Sequence, residues 1–244
     1  MKRSYGWFPD IPDQRDYLYA AIRPVVRVPR KVDLRECCSA VEDQGQLGSC
    51  TAQALAGNTE FLDNMIDGAY TDTSRLYIYY NERVIEDSVE YDSGASLRDG
   101  IKTLKKDGAC HEETWPYDIE HFADKPPKEC YSEGKKHLIE SYHRITTVPE
   151  MLTCLAEGFP FVFGFTVYES FQSQAVAKTG TVHMPKKGEV ALGGHAVLAI
   201  GYDQAKRRFL VRNSWGTKWG MGGYFTMPYA YLETLAGDFW TIRK

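Results

Sequence analysis

No apolar run long enough to span a bilayer as a helix occurs anywhere in the 244 residues, so no transmembrane segment and no membrane partner are expected. Charge of one sign is also missing. With 29 Lys and Arg against 33 Asp and Glu, the formal net charge of −4 gives nucleic acid no reason to bind. None of the six cysteines is spaced as Cys-x-x-Cys, and the six histidines do not pair with them at ligand intervals. A structural metal is therefore not expected, and no cofactor is implied. The chain has no internal repeat and no low-complexity tract. The opening MKRSYGWFPDIPDQRDY is basic at its start but lacks an apolar core behind it, so it does not read as a secretory signal. With Met1 as the natural start, a cytoplasmic protein is expected. A signal removed beforehand is the alternative.

What is present suits a packed enzyme-sized domain. Hydrophobic residues make up 43% and aromatic residues 13%, enough for a substantial core, and the length fits one domain with two lobes. Pro9, Pro12, Pro24 and Pro29 punctuate the first 30 residues, which read as an extended arm. From 50 to 107 the pattern is helical. Leu55, Thr59, Leu62 and Ile66 mark one helix face, SRLYIYYNERVIED follows, and Leu97, Ile101 and Leu104 mark a third helix stopped at Gly108. Beyond DKPPKEC and a short helix at EMLTCLAEG the signal turns to strands: FPFVFGFTVY, GHAVLAIGYD, RRFLVRNSW and GGYFTMP. Helices first and strands later predict an α+β fold with a helical lobe and a sheet lobe.

Three glycine-rich segments carry chemistry. In DQGQLGSC, Cys50 opens a helix six residues after Gln44. A thiol at a helix N-terminus feels the unpaired amides of the first turn, which favour thiolate, although an ordinary buried cysteine is equally compatible with these eight residues. In GGHAVLAIGYD, His195 begins a strand that is otherwise apolar. In VRNSWGTKWGMGGY, Asn213 ends one before a Trp- and Gly-rich turn. A cysteine nucleophile needs a base, the base needs a group that fixes its ring, and the oxyanion needs N–H donors. Gln44, Cys50, His195 and Asn213 supply one group for each requirement.

The three segments, in this order, resemble the active-site motifs of the papain family of cysteine proteases. VPRKVDLRE from Val28 resembles the start of its mature enzymes, and ETWPYD a mid-chain turn. The likeness runs over residues 28–244 and points to a prokaryotic-type member with a short N-terminal extension, residues 1–27. It implies a two-lobed fold, helical over roughly 38–140 and β over roughly 141–244, with an antiparallel sheet or barrel and the site in the cleft. It implies Cys50 as nucleophile, His195 as base and acid, Asn213 as orienter of the imidazole, and Gln44 with the Cys50 amide as oxyanion donors. Trp215 would shield the Asn213–His195 bond, which also suits a plain core aromatic. Gly94 would pair with a substrate backbone, or simply form a turn. Gly193 and Gly194 would line the pocket for the residue two before the cut, floored near Ala236 and Gly237. The implied reaction is endopeptidase cleavage of a peptide or protein substrate by a monomer, through a thiolate whose pKa is lowered to roughly 3.5–7.5. An acyltransferase with the same triad and a silent peptide-binding module are the alternatives.

Departures from the family are visible too. Thr51 stands where an aromatic usually follows the nucleophile, so local packing must differ. Leu47 stands at a usual half-cystine whose partner near YDSGAS is also missing, and Cys130 lacks its usual partner, a pattern that suits a reducing compartment. Trp7, Phe8, Tyr17, Leu18 and Tyr19 are too apolar for a disordered tag, so the arm is expected to pack on the catalytic domain. A brace along the back of the lobes is favoured over a short inhibitory segment in the cleft.

Overall fold

The computed structural model describes residues 4–244. Its centre is the helix α1, Cys50–Asp67, which Gly68 ends in the left-handed conformation. Fourteen of its residues are buried, from Cys50 to Asp63, because other elements cover it on nearly every side. Ile66, placed by periodicity on the buried face, is exposed: the helix has already left the core there. Helices α2, Arg75–Ile85, and α3, Leu97–Lys106, pack against α1, each started by a serine (Ser74, Ser96) that accepts an amide of its first turn. Leu97, Ile101 and Leu104 are fully buried, as their spacing predicts.

Among the described residues the sheet lobe holds seven strands, all pairing antiparallel. They are β1 Lys31–Asp33, β2 Ser141–Ile145, β3 Phe161–Tyr168, β4 Ala191–Asp203, β5 Arg208–Arg212, β6 Tyr224–Pro228 and β7 Ala236–Arg243. The order is β2-β7-β3-β4-β5-β6, with β1 added on β4. Helices α4 (Lys128–Gly134), α5 (Val148–Ala156), α6 (Gln174–Thr179) and α7 (Tyr229–Leu235) complete the chain. The period-2 alternation of β3 and β4 divides their side chains between two cores. Val162, Ala196, Leu198 and Ile200 join the core beneath α1, whereas Phe161, Phe163, Phe165, Val197 and Ala199 join the one on the other face. Both faces are covered, which is why these strands read as nearly continuous apolar runs.

The lobes are not separate segments of sequence. β1 precedes the helices yet pairs with Gly201–Asp203, and the C-terminal Lys244 ion-pairs with Asp63 of α1 at 2.6 Å. This stitching sets Cys50, at the N-terminus of α1, against Ala196 inside β4; His195 lies within that strand and not at its start as the sequence suggests, because pairing with β3 extends β4 back to Ala191.

Candidate active site

Cys50 is the first residue of α1, and its N-cap, Ser49, makes no side-chain capping bond, so the first-turn amides are not consumed by a cap. The sulfur accepts the Ala196 N–H at 3.4 Å, which ties α1 to β4 next to His195. His195 pairs with Phe165 of β3 in the sheet register. Its Nε2 meets Asn213 Oδ1 at 2.8 Å, and that oxygen also accepts the Ser214 N–H at 2.9 Å, which fixes the carboxamide with its oxygen toward the ring. Nε2 therefore carries the hydrogen and Nδ1 is the basic nitrogen. Trp215 stacks on the imidazole at 5.0 Å and 29°, and Phe165 closes it edge-on at 5.7 Å. Both His195 and Trp215 are buried, so the bond to Asn213 is kept from water.

Gln44 is fully buried and held on every side. Its backbone N–H donates to the Ser214 carbonyl at 2.9 Å and its Oε1 accepts the Ser214 hydroxyl at 2.6 Å. One hydrogen of its amide goes to the Leu47 carbonyl at 2.9 Å, which leaves the second for another acceptor. The Tyr117 hydroxyl donates to the Gln44 carbonyl at 3.0 Å and contacts Ser49 Oγ at 2.5 Å, clasping both ends of the 44–49 loop. Sequence reasoning missed Ser214 and Tyr117 as parts of this framework, although both lie inside motifs it quoted. Thr51, the departure beside the nucleophile, donates to Glu82 Oε1 at 2.5 Å, so a buried polar pair fills the place of an aromatic. Burial holds the Glu82 carboxyl well above its usual range.

The N-terminal arm enters this cleft. Trp7 N–H donates to the Gly194 carbonyl at 3.0 Å, Ala95 N–H to the Gly6 carbonyl at 2.7 Å, and Phe8 N–H to the Ala95 carbonyl at 3.4 Å. Trp7 and Ala95 form a parallel bridge. The arm's backbone partner on this wall is Ala95, the neighbour of Gly94. Gly94 itself donates its amide to the Tyr79 hydroxyl at 3.1 Å and leaves space for the Gly6 carbonyl. Gly6 also directs its N–H at the Cys50 sulfur. Tyr5 lies 6.3 Å from the His195 ring and 6.4 Å from that of Trp215.

Further along, the arm turns onto the sheet lobe. The Asp10 carboxylate, with no exposed side-chain surface, accepts from Arg98 N–H at 3.1 Å and Trp240 Nε1 at 2.8 Å. Asp16 pairs with Arg98 at 2.7 Å and Arg144 at 2.9 Å, while Tyr19 inserts into the second core and donates to Glu157 at 2.7 Å. The favoured expectation of a brace describes residues 10–23 only. Residues 4–8 fill the cleft, because the glycines lining it leave room for a chain.

Burial also sets the electrostatics of the thiol. A depressed pKa was expected from the helix N-terminus. Burial instead pushes the Cys50 thiol up to about 11, against the smaller downward pull of the Ala196 and Gly6 amides. Among the described residues no group of His, Cys, Asp and Glu is gathered as metal ligands would be, and no helix is long and apolar enough to cross a membrane.

A buried cysteine at a helix start, bonded to the amide next to a histidine that an asparagine orients, between a helical and an antiparallel sheet lobe, defines the class of thiol-dependent peptidases. The papain family cysteine protease profile matches residues 28–232, and the chain belongs to that family. It is 42% identical to xylellain, a cysteine protease from Xylella fastidiosa, whose crystal structure superposes with a TM-score of 0.90 over 100% of this chain and 98% of that one. An uncharacterized peptidase C1-like protein of Acanthamoeba polyphaga mimivirus is 43% identical, spanning 100% of this chain and 88% of its own. Cysteine proteinase 3 of Entamoeba histolytica is 26% identical over 93% of this chain and 70% of its own length. The bromelain protease of Ananas comosus shares the fold at a TM-score of 0.70 and 22% identity, over 88% of this chain and 99% of that one. The protein is a papain-family cysteine protease, and its substrates are peptides or proteins.

Proposed function

We propose that this protease is an endopeptidase in which Cys50 attacks the scissile carbonyl and His195 Nδ1 takes the thiol proton and returns it to the leaving amine. Asn213 holds the ring, and the Cys50 amide and the second Gln44 N–H receive the oxyanion. The observation that carries this reading is the 2.8 Å bond from His195 to Asn213 beside a thiol at the start of α1. The acyl-enzyme thioester is then hydrolysed by water, with His195 acting as base. Trp215 protects the His195–Asn213 bond, and Gly94 and Gly194 border the path of a bound chain.

Residues 28–244 form the catalytic domain, and residues 1–27 act as a built-in inhibitor whose tip excludes substrate and whose base is braced on the sheet lobe. Support comes from the arm's three backbone hydrogen bonds to Ala95 and Gly194 and from the buried state of Cys50. The parts named here all lie in one chain, which supports action as a monomer. Six cysteines without a disulfide support a reducing, cytoplasmic setting. Cys50→Ala tests the nucleophile: peptide hydrolysis should vanish while the circular dichroism and melting of the chain stay close to wild type. More than trace turnover by this variant would exclude the assignment.

A further inference from the structure

The Gln44–Cys50 loop is not crosslinked to its neighbours: all six cysteines are free. It is nevertheless anchored at one peptide. The Gly48 N–H donates to both carboxylate oxygens of Asp92, at 2.9 and 3.1 Å. The other side of the same peptide unit is the Leu47 carbonyl, which receives the Gln44 side-chain amide at 2.9 Å. A carboxylate on the N–H of a peptide fixes its plane and strengthens its carbonyl as an acceptor. Asp92 is itself held by the Tyr79 hydroxyl, which accepts the Gly94 N–H at 3.1 Å on its other side. Tyr79 is fully buried, with the Arg83 guanidinium 3.9 Å from its ring centre. Arg83 in turn donates to the carbonyls of Val89 and Tyr91, immediately before Asp92.

We propose that Asp92 is a positioning residue of the oxyanion site. Acting through the Leu47–Gly48 peptide, it sets the orientation of the Gln44 amide, and through Tyr79 it links that orientation to the Gly94–Ala95 backbone that pairs with a chain in the cleft. The inference rests on Gln44 as an oxyanion donor. It adds a residue outside the four catalytic groups whose carboxylate touches neither the thiol nor the imidazole. Asp92 lies on the exposed rim of the cleft, so its role is carried by its hydrogen bonds and not by packing.

The test separates two reactions of one thiol in the full-length chain. Alkylation of Cys50 by iodoacetamide needs the cleft open and the thiol ionised but forms no oxyanion, whereas hydrolysis of a peptide amide needs all three. The ratio of kcat/KM to the alkylation rate therefore cancels the occupancy of the arm. Asp92→Ala should lower this ratio about tenfold, the scale of a misplaced catalytic donor, with the alkylation rate within about twofold of wild type. Asp92→Asn keeps an acceptor for Gly48 and should recover most of the ratio. Tyr79→Phe, which keeps the ring beneath Arg83, should lower it less than Asp92→Ala. Gln44→Ala, measured alongside, must lower the ratio itself, or the donor assignment fails and this inference with it. If Gln44→Ala lowers the ratio and Asp92→Ala does not, the positioning role alone is overturned. If hydrolysis and alkylation fall together in Asp92→Ala, its effect is general structural damage and the proposal is equally overturned.

Discussion

The Trp7 indole occupies the space that a side chain on Gly164 would need. A Cβ added at Gly164 would stand 1.9 Å from Trp7 Cε2, and Trp7 is only 9% exposed. Gly164 pairs with Ala196 and Gly237 in the sheet register, beside the predicted pocket at Gly194, Ala236 and Gly237. The pocket that anchors the arm is therefore open to a bulky aromatic because β3 carries glycine at this point. Gly164→Val should expel Trp7 and narrow the pocket together. Small-peptide substrates with an aliphatic residue two before the cut should be cleaved faster than by wild type, whereas those with the larger phenylalanine at that position should gain less. Equal changes for both substrate types would show that arm and substrate do not share this pocket.

The oxyanion and orienting roles differ in magnitude. Gln44→Ala should lower kcat about 10²–10³-fold with little change in KM, since its bond forms mainly in the transition state. Asn213→Ala should cost less than His195→Ala, because it removes a ring's anchor and leaves the base in place. The reverse order in steady-state kinetics would assign the base elsewhere.

Arg98 holds the arm below the cleft. Its guanidinium binds Asp16 at 2.7 Å and the Ile11 carbonyl, while its backbone amide binds Asp10. Arg98→Ala should cost about 1.5–3 kcal/mol of arm docking, the range for hydrogen bonds to charged groups, and should raise turnover of a small peptide substrate. Unchanged turnover with a lower Tm would make residues 10–23 a brace without influence on the cleft.

Acid should tighten the arm and not release it. Burial first, and then the neighbouring Asp238 carboxylate, raise the Asp10 pKa from 3.8 to about 6, against the Arg98 and Trp240 contacts that lower it. A carboxyl with a raised pKa in the docked state favours docking in its protonated form. Its contribution is full below 3.8 and is lost as pH rises through about 6. Cys50 has the same sign at higher pH, its thiol being held up to about 11 beneath the arm. Protection of the Trp7 amide from hydrogen exchange, corrected for intrinsic rate, should fall between pH 4 and 7, and Asp10→Asn should flatten the change. Stronger protection at neutral than at acid pH in wild type would reverse the sign.

The helical lobe was legible because α1 and α3 carry clean helical spacing and serine or glycine boundaries. Strands β3 to β6 were legible as apolar runs, since both faces of the sheet are covered. Strands β2 and β7 escaped notice: SYHRI and AGDFWTIR mix charge with aromatics, and it is long-range pairing, of β2 with β7 and of β7 with β3, that makes them strands. Cys50, His195 and Asn213 were named as candidates because each lies in a dense local motif. Asp92, Tyr79 and Tyr117 were not, because their importance arises from contacts 13 to 73 residues apart in sequence. The cleft-bound tip was half visible. Its aromatics signalled packing, but nothing local says that Gly6 fits against Gly48, where a Cβ would meet the carbonyl oxygen at 1.6 Å.

That contact supplies the most direct measurement. It tests together whether Cys50 is the nucleophile and whether the arm seals it. Full-length wild-type protein and Gly6→Val are treated with an epoxide that alkylates papain-like thiols, and the modified residue is mapped by mass spectrometry over time. One modified residue is expected, Cys50, labelled at least about tenfold faster in Gly6→Val, since loss of the arm's seat corresponds to more than about 1.4 kcal/mol of docking. Labelling at another cysteine, or equal rates in the two proteins, would contradict it.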